Sequence, residues 1–318
     1  MKSTEELREL FESKLKPALQ SIEGERLILK KKYIYVLIGI LVPLFSIPIF
    51  DEHIGFIYIS IVFIIELLAF WYLLKLEKEK KGYREKFKKN VVKHIVNLIN
   101  PEWSYDSEGV IPQVDFEKSG LINIRVDRYK GDDFVKGVIE KTDFQFSELK
   151  VEHRSKGSDN KTEWSTIFQG LFAHAEFNKE IQGKTFVYPE IPGKLGMLMG
   201  KLYFVDKNSV ERIKLENTEF EKLYEVYGTN QTESRYVLTP AMMEAMVNIR
   251  NKYGNLASFS FVGSKVYVAM SFAEDLFEPN IFSTGINFKD MEQMNSHFRI
   301  IQTIVRELNL NTHIWTKE

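Results

Sequence analysis

The sequence predicts an α+β domain preceded by an all-α transmembrane hairpin, with amphipathic helices flanking the hairpin. Three observations lead to this fold class. Two long runs almost free of charge lie near the N terminus, lysines crowd the outer ends of these runs, and alternating strands, short helices and glycine-containing turns follow from Trp103. We therefore expect an amphipathic helix over 1–32, the hairpin over 33–74, a cytoplasmic helical stalk over 75–100 and an α+β soluble domain over 101–318.

The two apolar runs are 33–50 and 54–74, and only Asp51, Glu52 and His53 separate them. Each run is long enough to cross a hydrocarbon core of roughly 30 Å at about 1.5 Å per helical residue. Two core helices of a soluble protein are the alternative, but runs of this length that are almost free of charge are rare in soluble cores. A secretory signal peptide is disfavoured because a charged leader precedes the first run and no small-residue cleavage site follows it.

Basic residues predict the orientation of the hairpin. Directly before the first run lie Arg26, Lys30, Lys31 and Lys32, and eight basic residues lie within 75–89 directly after the second, whereas the connection between the runs has none. Lysine and arginine concentrate on the cytoplasmic flanks of membrane spans because their translocation is disfavoured. We therefore expect both termini and the large domain to be cytoplasmic. The absence of cysteine fits a reducing compartment and fits an external domain without disulfides equally well.

Glu66 is the candidate functional residue inside the spans. An ionisable side chain at this depth is costly, so it is usually protonated, paired or turned towards a protein interface. One interpretation is a role in self-association or ion handling, and the other is a protonated side chain bonded to a hydroxyl such as that of Ser46 or Tyr35. Pro43 and Pro48 in the first run predict a kinked or shaped helix end.

Both flanks of the hairpin have the periodicity of amphipathic helices. The first begins with a capping-box pair, Ser3 and Glu6, and the second ends at Asn100 and Pro101. Because both flanks leave the membrane on the same side, we expect their apolar stripes to pack as an antiparallel stalk. The competing interpretation places the lysines of 75–99 on anionic lipid headgroups. The stripes are Leu7, Phe11, Leu15, Ala18 and Ile22 on the first flank and Tyr83, Phe87, Val91, Ile95 and Leu98 on the second.

The sequence pattern of the soluble part, 101–318, predicts two hairpins, two helices and further strands. The hairpins cover 131–151, with its turn near Lys141, and 256–272, joined across Gly263 and Ser264. A helix is predicted between the N-cap Thr239 and Gly254, since threonine followed by proline starts helices and glycine ends them. A last helix is predicted over 290–308. Further predicted strands are 166–177, 184–188, 210–215, 220–227 and 236–238.

Four phrases of the sequence resemble an uncharacterised bacterial family of two-pass membrane proteins, defined as a domain of unknown function. The phrases are WSTIFQGLF at 164–172, GKT at 183–185, FEKLYEVYG at 220–228 and SRYVLTPAMM at 234–243. The resemblance covers nearly the whole chain, because that family also has a charged N-terminal helix, a transmembrane hairpin and a soluble domain. It implies a bacterial origin and a shared fold, and it implies no activity, cofactor or catalytic residue. Together with the two predicted spans, a bacterial origin predicts a multi-pass protein of the bacterial inner membrane.

The residues themselves predict no catalytic site, no cofactor and no metal centre. A chain without cysteine has no thiol nucleophile and no cysteine-ligated metal. His174 and Glu176 share one face of a predicted strand, which a half-exposed polar sheet face explains. The adjacent Asp132 and Asp133 offer carboxylates to a cation but are typical of a solvated turn. Gly193–Lys201 fits neither the dinucleotide-binding fingerprint nor a P-loop.

Function is therefore predicted from location and composition. Nucleic-acid binding is not expected, since the basic residues concentrate beside the membrane and the soluble part mixes both signs. The leading hypothesis is a membrane-anchored cytoplasmic scaffold or regulatory interaction protein, whose partners are the lipid bilayer and either a protein partner or a second copy. The alternatives are a membrane-associated enzyme whose site leaves no motif and a subunit of a transport assembly that uses Glu66.

Overall fold

The structure is a computed structural model that describes residues 4–46, 52–156, 161–190, 209–254, 257–282 and 287–308. The chain divides into two compact units. Unit 1 consists of Met1–Ile95 and Phe277–Met294, and unit 2 of Val96–Leu276 and Asn295–Glu318. A segment far along the chain therefore belongs with the N-terminal helices, which local sequence patterns did not predict.

The N-terminal part of unit 1 is helical. It contains α1 (Thr4–Leu10) and the long helices α2 (Lys16–Ser46) and α3 (Glu52–Phe87), with π-helical turns at Phe11–Leu15 and Lys88–Val92, and the short α4 (Lys93–Ile99) begins in unit 1 and ends in unit 2. Helices α2 and α3 run antiparallel. Lys86 bonds Glu25 at one end of the pair, and the Tyr58 hydroxyl donates to the Pro43 carbonyl at the other. Pro43 lies inside α2, which continues to Ser46.

Most members of the amphipathic stripes predicted on the two flanks are buried, whereas Ala18 and Leu98 are half-buried and the side chain of Leu7 lies outside the described residues. Phe11, Leu15 and Ile22 on the first flank are buried, and so are their counterparts Tyr83, Phe87, Val91 and Ile95 on the second. Charged side chains join the same two helices at the edge of the contact, with Lys32 Nζ 2.6 Å from Glu79 Oε2. Ser3 of the predicted capping box lies outside the described residues.

The segment Phe277–Met294 returns to the long helices of unit 1. Its backbone accepts a hydrogen bond at the Ile281 carbonyl from Arg26 Nη1 at 2.6 Å, and the Arg26 side chain is buried. Its Glu278 carboxylate pairs with Lys88. The rings of Phe288 and Phe11 meet edge to face with centroids 5.7 Å apart. Polar and apolar contacts thus both hold this segment within unit 1.

Unit 2 contains a seven-stranded antiparallel sheet in the order β1-β2-β3-β4-β6-β5, with β7 paired to β4. The strands are β1 (Ser104–Asp106), β2 (Arg128–Ile139), β3 (Thr142–Lys156), β4 (Thr162–Pro189), β5 (Glu211–Ile213), β6 (Tyr224–Gly228) and β7 (Ala257–Ser271). The long β4 is the centre of the sheet, because β3, β6 and β7 all pair with it. The fold is α+β, as predicted.

Among the described residues, five further helices follow in chain order. They are α5 (Gln113–Lys118), α6 (Thr218–Leu223), α7 (Gln231–Val237), α8 (Pro240–Tyr253) and α9 (Phe288–Glu307). The predicted boundaries of α8 are confirmed. The Thr239 hydroxyl caps the Met242 amide, and Gly254 adopts the left-handed conformation with φ of 64°.

The hairpin predicted over 131–151 is confirmed as β2 and β3, which join through Glu140 and Lys141. The hairpin predicted across Gly263 and Ser264 is wrong. Instead of turning there, β7 continues as one strand, and Gly263 lies opposite Ile181 at an irregularity in the pairing with β4. Its φ of 60° accommodates a bulge rather than a reversal of the chain.

Other strand predictions also need correction. The predicted pair 166–177 and 184–188 is a single strand, β4. The predicted strand 236–238 is wrong, since α7 runs to Val237. The predicted strand 220–227 begins inside helix α6, because the Asn217 side chain accepts from the Glu219 and Phe220 amides and starts a helix there.

Candidate functional site

Large apolar side chains are exposed along α2 and α3, over the predicted membrane spans. They include Ile34, Tyr35, Leu37, Ile38, Leu41, Val42 and Phe45 on α2 and Phe56, Ile57, Ile59, Ile61, Phe63, Ile64, Leu67, Leu68, Phe70, Trp71 and Leu74 on α3. In the described chain, one continuous helical stretch is long and apolar enough to cross a membrane. It is Phe56–Ile99, which contains most of α3, the π-helical turn and α4. The first predicted run is described only to Ser46, so the structure supports one span, and the two-pass hairpin stays a prediction.

Glu66 lies half-buried within the apolar stretch of α3. Val62, one helical turn earlier, is buried. Among the described residues, no hydrogen bond or ion pair reaches the Glu66 carboxyl group. Tyr35, one of its two predicted hydroxyl partners, is exposed, and the side chain of Ser46 lies outside the described part of the chain. A predicted intramembrane carboxyl thus has no described partner within its own chain.

A cavity of about 440 Å³, lined by both polar and apolar residues, lies on the sheet of unit 2. One row of its wall crosses four strands, because Ser104, Lys136, Gln145 and His174 are successive cross-strand partners from β1 to β4. Glu176 and its β7 partner Lys265 add an acid and a base to the wall. Sequence periodicity placed His174 and Glu176 on one face but did not identify the lysines, which come from other strands.

His174 is buried at 5% exposure, so the predicted half-exposed environment is wrong for this side chain. Burial lowers the pKa of its imidazole to about 4, and the nearby positive charge of Lys265 acts in the same direction. The ring packs edge to face on Tyr267 with centroids 5.8 Å apart. Its Nε2 atom is buried and has no hydrogen-bond partner among the described residues. The imidazole is therefore neutral at pH 7.

A second polar cluster joins β2 and β3. Carboxylate oxygens of Asp132, Asp133 and Glu148 all lie within 4.8 Å of one another. The predicted solvated turn is wrong for Asp133, which is fully buried in β2 with a φ of 56° where the pairing with β3 is irregular. Glu148 carries no sequence motif, and only the strand register brings it to the two aspartates.

Hydrogen bonds from Tyr105 and Leu276 reach this cluster of carboxyl groups within unit 2. The Tyr105 hydroxyl donates to Asp133 Oδ1, and the Leu276 amide donates to both oxygens of Glu148 at 3.1 and 3.0 Å. Burial is the main cause that raises the pKa of Glu148 to about 8, with the negative charges of Asp133, Asp132 and Asp275 acting in the same direction and the Leu276 amide acting against them. Glu148 is therefore largely protonated at pH 7. The carboxyl oxygens of these three residues can bind a proton or a hard cation.

The glycine-rich segment Gly193–Lys201 lies outside the described residues. Trp164 is 43% exposed on β4. The Arg128 guanidinium lies 3.9 Å from the centre of its ring, and Arg128 also pairs with Glu152 at 2.8 Å. This aromatic and cationic pair marks one end of the sheet.

Residues 166–310 match a family described as a protein of unknown function (DUF3137). This match confirms the predicted resemblance to an uncharacterised family over that range. No curated protein matches the chain. The crystal structure of the mycobacterial trehalose monomycolate transport factor A, TtfA, is similar at 10% identity with a TM-score of 0.33, over 65% of this chain and 92% of that chain. A likeness this weak supports no inference about function.

Proposed function

We propose that this chain is a membrane-anchored scaffold or regulatory interaction protein of a bacterial inner membrane. Helices α2 and α3 cross the bilayer as a two-pass hairpin, both termini are cytoplasmic, and unit 2 binds a protein partner at the cytoplasmic face. Membrane attachment of this kind raises the local concentration of the binding unit at the bilayer surface.

The exposed apolar side chains of α2 and α3 are the observation that supports the anchor. Soluble proteins rarely expose contiguous apolar patches larger than a few hundred Å². Burying apolar surface contributes about 25 cal/mol per Å², so a lipid environment stabilises these helices where water does not. The antiparallel contacts between α2 and α3 favour a second span beside the first.

Lysines at the ends of the apolar stretch support the orientation. Lys31 on α2 and Lys75 and Lys78 on α3 are exposed at the same end of the antiparallel helix pair. Positively charged side chains stay on the cytoplasmic side during insertion. This end of the pair continues into the flanking helices, so the flanks share the cytoplasmic side.

An extension of the sheet, formed by residues 152–156 of β3 and 162–166 of β4, supports partner binding by unit 2, and we call it the arm. The pairing of β2 with β3 begins at Arg128 and Glu152, and beyond this point β3 and β4 pair with each other over 152–156 and 162–166. The side chains of these two segments are exposed or half-exposed. Tryptophan and arginine are enriched at the energetic centres of protein interfaces, and Trp164 with Arg128 supplies both.

Cysteine labelling tests the anchor and its orientation, because the chain has no native cysteine. We would introduce His53→Cys in the connection between the runs and Lys156→Cys on β3, one at a time. Intact and lysed cells would then be treated with a membrane-impermeant thiol reagent. We expect the first variant to react before lysis and the second only after lysis. Labelling of Lys156→Cys alone in intact cells would invert the topology and contradict a cytoplasmic partner.

Site-specific photo-crosslinking tests the arm. A photoreactive amino acid at Trp164 is compared with the same amino acid at Asn251, an exposed position of α8. We expect a discrete adduct from position 164 in intact cells that Arg128→Glu abolishes. The same adduct from both positions, or one that persists in Arg128→Glu, would exclude the arm as the binding surface.

A further inference from the structure

Helix α3 has one row of side chains that faces α2. The row runs along Tyr58, Val62, Ile65, Ala69, Tyr72 and Leu76, with spacings of four and three. Val62 and Leu76 are buried, and the Tyr58 hydroxyl bonds the Pro43 carbonyl of α2. Spacings that alternate between three and four are typical of helix–helix seams. This row is therefore the seam that the chain uses internally.

A second row with the same spacing lies beside the first and is open. It runs along Phe56, Ile59, Phe63, Glu66 and Phe70, at intervals of three, four, three and four. The four apolar members are each more than half exposed, whereas Glu66 is half-buried. We call this row the open seam.

Glu66 requires a polar partner in this position. No hydrogen bond or ion pair to its carboxyl is found in the described part of the chain, and an unpaired polar group in hydrocarbon is costly. A carboxylic acid has one hydrogen-bond donor and remaining acceptor capacity, so two such groups satisfy each other. Residues close to a two-fold axis meet their own copies, so a symmetric dimer brings two Glu66 side chains together.

We propose that a second copy of this chain docks on the open seam and that the two Glu66 carboxyl groups hydrogen-bond across the dimer axis. The inference rests on the membrane anchor proposed above. Because every copy inserts with the same orientation, the two α3 helices run parallel. The aromatic rings of Phe63 and Phe70 pack on either side of the carboxyl pair and exclude lipid from it.

Cysteine crosslinking in native membranes tests the seam. Ile59→Cys, Phe63→Cys and Phe70→Cys place a thiol on the open seam. Ile61→Cys, Ile64→Cys and Leu68→Cys place a thiol on the opposite, equally exposed face of α3. After mild oxidation we expect disulfide-linked dimers from the first group only. Equal crosslinking of the two groups, or none from either, would overturn the inference.

Substitution of Glu66 tests the carboxyl pair. The fraction of dimer is measured in liposomes, by single-molecule photobleaching of the labelled full-length chain over a range of protein-to-lipid ratios. Glu66→Gln keeps a donor and an acceptor and should dimerise like the parent. Glu66→Leu should raise the dimer dissociation constant about 3- to 30-fold. An unchanged dissociation constant for Glu66→Leu would overturn the carboxyl pairing.

Carbonate extraction of the same membranes separates the two proposals. A chain that leaves the membrane pellet contradicts the anchor, and the dimer with it. A chain that stays in the pellet but remains monomeric at every protein-to-lipid ratio contradicts the dimer alone and makes lipid the occupant of the open seam.

Discussion

Lys88 and Glu278 form a buried ion pair within unit 1, with Nζ and Oε1 2.9 Å apart and the lysine side chain 3% exposed. Arg84 also contacts the Glu278 carboxylate. The pair joins the π-helical turn Lys88–Val92 to the returning segment Phe277–Met294, so the Glu278 carboxylate faces the charge of a lysine that has little access to water.

We expect Glu278→Ala to destabilise the protein by about 3 to 5 kcal/mol, because it removes the carboxylate that pairs with the buried Lys88 ammonium. Chemical denaturation of the full-length chain in detergent measures the loss. Glu12→Ala is the matched control, since it removes an exposed pair with Lys16 and should cost under about 0.5 kcal/mol. Equal effects of the two substitutions would show that the buried pair adds no stability.

Glu148 should make stability fall as pH rises. Its pKa is raised from 4.5 to about 8 in the folded state, so the folded protein binds the proton more tightly than the unfolded chain. The stabilising effect of the proton is complete below about pH 4.5 and is lost as pH rises towards 8. We expect Glu148→Gln to flatten the pH profile of the free energy of unfolding in this window.

Denaturation of the parent and of Glu148→Gln at several pH values between 5 and about 9 checks this prediction. Glu163→Gln, at an exposed position of β4, is the control and should follow the parent at every pH. Parallel profiles for Glu148→Gln and the parent would contradict a protonated Glu148.

His174 should act in the opposite direction. Its pKa is lowered from 6.5 to about 4 by burial, so the unfolded chain binds the proton more tightly than the folded protein. Stability from the neutral imidazole is present above pH 6.5 and is lost as pH falls towards 4. His174→Gln should remove part of this acid sensitivity in thermal unfolding. The same substitution at the exposed His94 should not, and an identical change from both would contradict the prediction.

Gly263→Ala tests the bulge in β7. The new methyl group meets nothing within 4 Å, so any loss of stability comes from the backbone, whose φ of 60° is unfavourable for alanine. We expect a cost of about 1 to 2 kcal/mol in the free energy of unfolding. Gly263→Asn should cost less, because asparagine tolerates this conformation. Equal stability of both variants and the parent would mean that the strand relaxes there.

Features set by neighbouring residues could be predicted from the sequence. The stripes that contain Phe11 and Phe87, the capped helix behind Thr239 and the hairpin around Glu140 and Lys141 depend on short-range periodicity, caps and turns. Prediction from the sequence failed where one local pattern is compatible with two different structures. A glycine with positive φ serves a turn or a bulge equally well, so Gly263 alone did not distinguish a hairpin from a continuous strand.

The sequence by itself determined the long apolar runs, the amphipathic flanks, the α+β class and Glu66 as a carboxyl within an apolar helix, because each follows from composition or spacing along a single element. Only the tertiary structure determined that Glu278 neutralises Lys88, that Glu148 joins two aspartates and that His174 is buried beside Lys265. These contacts join residues distant in sequence, and their energies depend on the burial and strand register that the folded chain creates.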